Sequence, residues 1–289
     1  MARLRPQSMI LTLLGDYVRH TGGCIWIGSL VQILGCLGVS SQGVRSAVSR
    51  MKQDDLLQAQ NVRGKSFYSL TPASSKLLDE GAARIFEFPR ARDGWDGQWH
   101  LVTYTIPEIS RAARDQLRHE LEWMGFGMLT LALWISPYDQ RAKIESLADS
   151  LGVRACVEMF TARHDGFANP QTIVARCWDL QAINARYATF IQKYKTLYAK
   201  DCRALTKSSA PDPAEHFVRR FNLIHEFRRF PFFDPDLPTE LLPADWRGTE
   251  AARLFHEYHD LLANQAHAYF QSVFVAPANN KQKVRALGR

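Results

Sequence analysis

The chain has 289 residues, 46% of them hydrophobic, with 36 Lys and Arg against 29 Asp and Glu. That length gives room for two or three domains, each with its own core. The absence of any apolar run near the roughly 20 residues of a membrane span, of a signal-like apolar start and of any C-x-x-C among five scattered cysteines argues against a membrane protein, a secreted disulfide scaffold and a zinc site. The expectation is a cytoplasmic protein with reduced thiols.

The charge is unevenly placed. Residues 1–94 hold 12 Lys and Arg against 7 Asp and Glu, residues 95–280 hold 20 against 22, and the tail from Lys281 adds four cations and no acid. A basic first third on a near-neutral body is the asymmetry of a nucleic-acid-binding head.

In chain order, Ile10, Leu13, Leu14, Tyr17 and Val18 form a helical stripe that Gly22-Gly23 ends. Cys24 to Ile27 suits a short strand. A second helix runs from Ser29, with Leu30, Ile33, Leu34 and Leu37 inward and Gly38 as its stop. The stretch Ser40 to Lys52 then reads as a helix with two unlike faces. Val44, Ala47, Val48 and Met51 make an apolar stripe. Gln42, Arg45, Ser46 and Ser49, with Arg50 beside them, make a face that carries donors and positive charge but no acid. Arg pairs with guanine edges, Gln with adenine and Ser with phosphates, so that face suits a major groove. Ser40 or Ser41 caps the helix start. Two strand-like runs, 56–60 and 66–70, flank a Gly-containing turn with Arg63 and Lys65 at its tip. Thr71-Pro72 opens a closing helix. Three helices, a basic-tipped hairpin and a fourth helix make a winged helix-turn-helix over 1–84.

Residues 85–97 read as a linker. From 98 to 177 the order is β-α-β(β)-α-β: strands at 99–106, 126–135 (two short or one long) and 154–160, helices from Pro107 and from about Gln140. That order suggests a ferredoxin-like α+β sandwich. A carboxylate at the end of the first strand could hold Mg²⁺ for phosphodiester cleavage, since hard divalent ions need oxygen ligands. Here the strand ends Tyr104-Thr105-Ile106, without one. Residues 178–275 read as mostly helical. Within them Phe217 to Pro231 sets four arginines, a His and a Glu among four phenylalanines. Arg binds phosphate and stacks on rings, so Arg219, Arg220, His225, Arg228 and Arg229, with Trp246, are candidates to hold an anionic, aromatic ligand. The alternative for the same block is a set of structural ion pairs with neighbouring helices. The tail 276–289 is polar, basic and expected to be disordered.

The chain resembles the PaaX family, the transcriptional repressors of phenylacetate-degradation operons. The likeness runs from about Ser8 to about Ser272. It rests on SMILTLLGDYV, SSQGVRSAVSRMKQDDLL, YSLTPASSKLL, WDGQWHLVTYTIPE and, most specifically, LIHEFRRFPFFDPDLPTELLPADW. The resemblance implies a winged helix, a Cas2-like ferredoxin-fold middle and a helical C-terminal part. It implies a homodimer on an inverted-repeat operator in double-stranded DNA, released by an aryl-CoA thioester, typically phenylacetyl-CoA. Thr105 stands where an active Cas2-type nuclease would show an aspartate. The reading is therefore a DNA-binding repressor with no catalytic or metal site and no cofactor. Its alternatives are a metal-dependent nuclease built on the central domain and a winged-helix protein without a small effector.

Overall fold

The computed structural model describes residues 5–86, 88–89, 94–206 and 212–277. Much of the expected linker (87 and 90–93) and most of the expected tail (278–289) lie outside the described residues. The chain divides into two compact units, one of residues 1–86, 192–228 and 253–289, the other of residues 87–191 and 229–252.

The first unit opens with α1 (Pro6–Asp16), the short strand β1 (Cys24–Trp26), α2 (Ile27–Gly35) and α3 (Ser41–Gln53). Gly38, at φ 80°, turns the chain between α2 and α3 in a conformation that side-chain-bearing residues rarely adopt. Strands β2 (Leu57–Val62) and β3 (Lys65–Leu70) form a hairpin in full register from Leu57↔Leu70 to Val62↔Lys65. Its two-residue turn has Arg63 at φ 51° and Gly64 at φ 75°. Positive φ at both central positions is what a type I′ turn demands, and that turn's twist matches the strands it joins. β1 adds antiparallel to β3, giving the order β1-β3-β2. Helix α4 (Pro72–Phe86) follows, and Thr71 caps it by accepting from the Ser74 N–H at 3.3 Å.

One core holds this unit together. Val44, Ala47, Val48 and Met51 of α3 are buried with Ile10, Leu13 and Leu14 of α1 and Ile33 and Leu34 of α2. Phe217 and Phe221 of α9 (Pro213–Phe227) and Ala266 and Phe270 of α10 (Gly248–Val273) belong to the same cluster. The helical stretch 178–275 is shared between the two units: residues 192–228 and 253–275 belong to the first, where Phe217, Phe221 and Phe270 complete the core begun by α1 to α3, and residues 178–191 and 229–252 belong to the second.

The second unit contains β4 (Trp99–Tyr104), α5 (Arg111–Trp123), β5 (Gly127–Thr130), β6 (Leu133–Ser136), α6 (Arg141–Ser150) and β7 (Val157–Ala162). All strand pairs are antiparallel, in the order β5-β6-β4-β7, which is the ferredoxin-like arrangement. The apolar run 126–135 is two strands, with Ala132 at φ 62° in the turn. The last strand starts three residues later than its sequence suggests because Arg154–Cys156 form a 3₁₀ turn. Val102, Tyr104 and Trp134 of the sheet pack on Leu117 and Leu121 of α5 and Ile144 and Ala148 of α6. Gly127 on β5 is required by close approach: a Cβ there would lie 2.6 Å from Cys177 Cβ at the end of α7 (Pro170–Cys177) and from the Trp178 ring. The long helix α8 (Leu180–Thr206) contributes its first residues to this unit.

Candidate nucleic-acid interface and effector cavity

Helix α3 is oriented as its periodicity dictates. Val44, Ala47, Val48 and Met51 are at most 2% exposed, and Gln42, Arg45, Ser46, Ser49 and Arg50 are all exposed. Burying a Val or Met side chain is worth about 1.5–3 kcal/mol. Rotating the helix by half a turn would forfeit that and bury two guanidiniums, so the polar face cannot turn inward. The Ser40 hydroxyl caps the helix, accepting from the Gly43 N–H at 3.1 Å. Arg50 Nε reaches back to the Ser46 carbonyl at 3.4 Å.

The hairpin tip presents Arg63 and Lys65, both exposed. The Asn61 side-chain oxygen accepts from the Gly64 N–H at 3.1 Å and firms the turn. The Lys65 ammonium lies 4.6 Å from the centre of the Trp26 ring, a cation–π contact that restrains the side chain without neutralising it. Trp26 escaped the sequence reading, although its place next to α2 and its strand pairing with Phe67 make it the platform under the hairpin.

The arginine block of α9 behaves otherwise than as a ligand cluster. Arg220 is 3% exposed, pairs with Asp16 of α1 and reaches His259 of α10. Burial alone would push the Asp16 carboxyl up; His259 and the Arg220 guanidinium outweigh it and hold Asp16 below the usual carboxylate range. Arg219 pairs with Asp201 and with Glu215 at 2.9 Å. His225 Nδ1 is 2.9 Å from the Thr12 hydroxyl, and Arg228 donates to the Ser8 hydroxyl and, at 3.3 Å, to the Ser8 carbonyl. Ser8, Thr12 and Asp16 are four residues apart, one stripe of α1, and they meet Arg228, His225 and Arg220 in antiparallel order. Arg219, Arg220, His225 and Arg228 are thus spent on intramolecular partners, the alternative that the sequence left open. Arg229, in the second unit, is exposed.

Of the candidate effector residues, Trp246 lines a cavity of about 440 Å³ that lies within the second unit. Tyr187 of α8 lines it too, stacked on Phe230 at 4.2 Å and set edge-on to Trp246 at 5.5 Å and 78°. Tyr138 donates to the Asp236 carbonyl at 2.6 Å. Asp234, 6% exposed, accepts from the Tyr187 hydroxyl and, at 2.8 Å, from the Asp236 N–H. Burial pushes Asp234 up to about 6 despite those two donors. The same burial, with the Asp234 charge beside it, pushes the Tyr187 hydroxyl up. No local signal in the sequence announces a cavity here, because its walls come from segments far apart in the chain.

Thr105 follows β4, its N–H donating to the Cys156 carbonyl at 2.9 Å. Among the described residues no group of three or more His, Cys, Asp or Glu is placed to hold a metal ion, and no helix is long and apolar enough to cross a membrane.

Comparison with known proteins fits this geometry. Three family descriptions match along the chain: PaaX-like protein over residues 5–74, PaaX protein central Cas2-like domain over 92–174, and PaaX-like protein C-terminal domain over 178–272. The transcriptional repressor PaaX of Escherichia coli (strain K12) is 33% identical over 267 residues, covering 91% of this chain and 82% of the relative. The chain belongs to the PaaX family. That family is one of transcription regulators, not of enzymes. A solved structure, the uncharacterized protein Rv0674 from Mycobacterium tuberculosis, shares the fold, with a TM-score of 0.57 and 23% identity over 91% of this chain and 96% of that one.

Proposed function

We propose that this PaaX-family protein is a cytoplasmic, homodimeric repressor of an aromatic, phenylacetate-type catabolic operon, released from its operator by an aryl-CoA such as phenylacetyl-CoA. In this reading residues 1–84 work as a winged helix. Gln42, Arg45, Ser46, Ser49 and Arg50 face the major groove, and Arg63 and Lys65 hold phosphates or the minor groove. The observation that carries it is the register of α3: an exposed, acid-free face of five polar residues backed by a fully buried apolar stripe. A two-fold dimer sets its half-sites about one helical turn, roughly 34 Å, apart. Arg229 and Trp246 remain the candidate effector contacts.

The test is fluorescence anisotropy on DNA upstream of the neighbouring catabolic genes, with and without phenylacetyl-CoA. Tight binding that the thioester abolishes, and that free CoA leaves intact, is the expected result. Binding indifferent to the thioester removes the effector half of the reading; no binding at moderate salt removes the whole. The Arg45→Ala variant should lose about 1–3 kcal/mol on the operator and much less on random DNA, as a direct base contact requires. Equal losses on both would make Arg45 a phosphate contact.

A further inference from the structure

The two cations of the hairpin are held differently. Arg63 and Lys65 are both exposed, and no carboxylate pairs with either among the described residues. Only Lys65 is restrained, by the Trp26 ring whose centre lies 4.6 Å from its ammonium. Strand register brings that ring into reach. Trp26 lies opposite Phe67, so Lys65, two residues before Phe67, is its diagonal neighbour on the same side of the sheet. Diagonal positions are about 7–8 Å apart, which an aromatic ring and a long side chain can span. Trp26 is also where β1 gives way to helix: its backbone is extended, at φ −68° and ψ 139°, and α2 starts at the next residue. The indole therefore belongs to the helix-turn-helix, and through it Lys65 is tied to the helices rather than to the hairpin alone.

The ring itself is seated by Gly28. A Cβ there would lie 2.5 Å from Trp26 Cζ2 and nearer still to Cη2 and Cζ3, closer than a side chain can approach. Gly28 has no positive φ to require glycine, and it sits in the first turn of α2, where glycine is a poor helix former. What requires it is the room it leaves for the indole. A cation over an aromatic face keeps its charge. Lysine has three N–H donors, so the side of the ammonium away from the ring stays available to a phosphate oxygen.

Given the DNA-binding reading above, on which this rests, we propose that Trp26 is a positioning residue for DNA. Seated on Gly28, it fixes the Lys65 ammonium relative to α3, so that this phosphate contact of the wing is ordered before the duplex arrives. Arg63 makes a contact that is ordered only on binding. The gain is entropic: a free lysine gives up its rotamers on contact, and one already ordered has fewer to lose.

The experiment is a double-mutant cycle on the full-length protein, read by fluorescence anisotropy on two duplexes, the DNA upstream of the neighbouring catabolic genes and a random sequence. A phosphate contact carries no sequence information, so both duplexes report it. Lys65→Met should weaken binding to both and lower the slope of log affinity against log salt by about 0.9. Trp26→Leu should weaken both by about two- to fivefold, the factor that an exposed cation–π contact is worth, and should cost nothing further in a Lys65→Met background. Gly28→Ala should reproduce that loss and that dependence on Lys65. Trp26→Phe, which keeps a ring face, should recover part of it. Should Trp26→Leu fail to fold, the Gly28→Ala and Trp26→Phe arms of the cycle decide. A structural role for Trp26 would weaken binding equally with and without Lys65, and that additivity overturns the proposal. So does tighter binding by Trp26→Leu, which would mean that the indole competes with phosphate for the ammonium. The two readings fail distinguishably: native protein that binds neither duplex sinks the DNA-binding reading and this one with it, whereas binding with additive losses sinks this one alone.

Discussion

Asp16 in the first unit and Asp234 in the second are buried to nearly the same depth, 8% and 6% exposed, yet they are driven in opposite directions. Asp16 faces His259 and a guanidinium and is held below the ordinary range. Asp234 faces a hydroxyl and an amide and is pushed up to about 6. Burial acts alike on both, so the partner decides. The first unit spends its buried charge on fixing α9 to α1, the helix that packs behind α3. The second unit leaves its carboxylate with uncharged donors at the wall of a cavity.

The comparison is broken most forcefully by removing the cation. Arg220→Met should lower the unfolding free energy by about 3–5 kcal/mol, because it leaves a buried carboxylate with His259 as its remaining partner rather than deleting a pair. The Asp16→Asn, Arg220→Met double variant should recover most of that loss, read from urea midpoints at pH 7. The pH dependence has a defined sign. The folded pKa of Asp16 lies below its unfolded value near 3.8, so its contribution is present above that pH and is lost as pH falls through the folded value. A native protein whose acid limb is unmoved by Asp16→Asn would show that the ion pair is not the source of the shift.

Removing the second carboxylate should do the reverse. Between 3.8 and about 6 the native state keeps a proton on Asp234 that the unfolded chain has given up, so stability falls as pH rises across that window. A displacement of about two pKa units is worth roughly 3 kcal/mol as an upper figure. Asp234→Asn, whose Oδ1 still accepts from the Asp236 N–H while its amide NH2 donates to the Tyr187 oxygen in place of accepting from it, should be more stable than the native protein at pH 7.5 by up to that amount and indistinguishable below pH 4. Denaturant midpoints at the two pH values decide it, and an equal offset at both would remove the charge from the explanation.

What the sequence made legible follows the same division. The α3 face, the hairpin and the β-α-ββ-α-β order are local patterns, and local periodicity and turn chemistry specify them. The α9 arginines were visible as a cluster, but their meaning depends on partners the sequence cannot align: Asp16 lies 204 residues from Arg220, and Ser8 lies 220 from Arg228. A helix that pairs its cations internally and one that offers them to phosphates have the same composition. The cavity is more deeply hidden, because Tyr138, Tyr187, Asp234 and Trp246 come from four separate segments and each alone reads as core or loop. The two compact units likewise cut across the linear order, because Phe217, Phe221 and Phe270 complete a core begun 200 residues earlier.

The smallest expected effect sharpens the comparison from outside. Arg253 and Glu257 on α10 form an ion pair at 3.3 Å, with side chains 67% and 41% exposed. Water screens both partners, and holding two long side chains in one geometry costs entropy, so such an i,i+4 pair contributes about 0.3–0.5 kcal/mol. Arg253→Ala should therefore shift the urea midpoint almost imperceptibly, and 0.5 M salt, which screens exposed charges, should erase what difference there is. The Arg220→Met deficit should survive the same salt, since its charges are shielded from ions by the surrounding core. If salt instead reduced both deficits in proportion, Asp16 would be reached by solvent, and the contrast between a paired and an unpaired buried carboxylate would lose its physical basis.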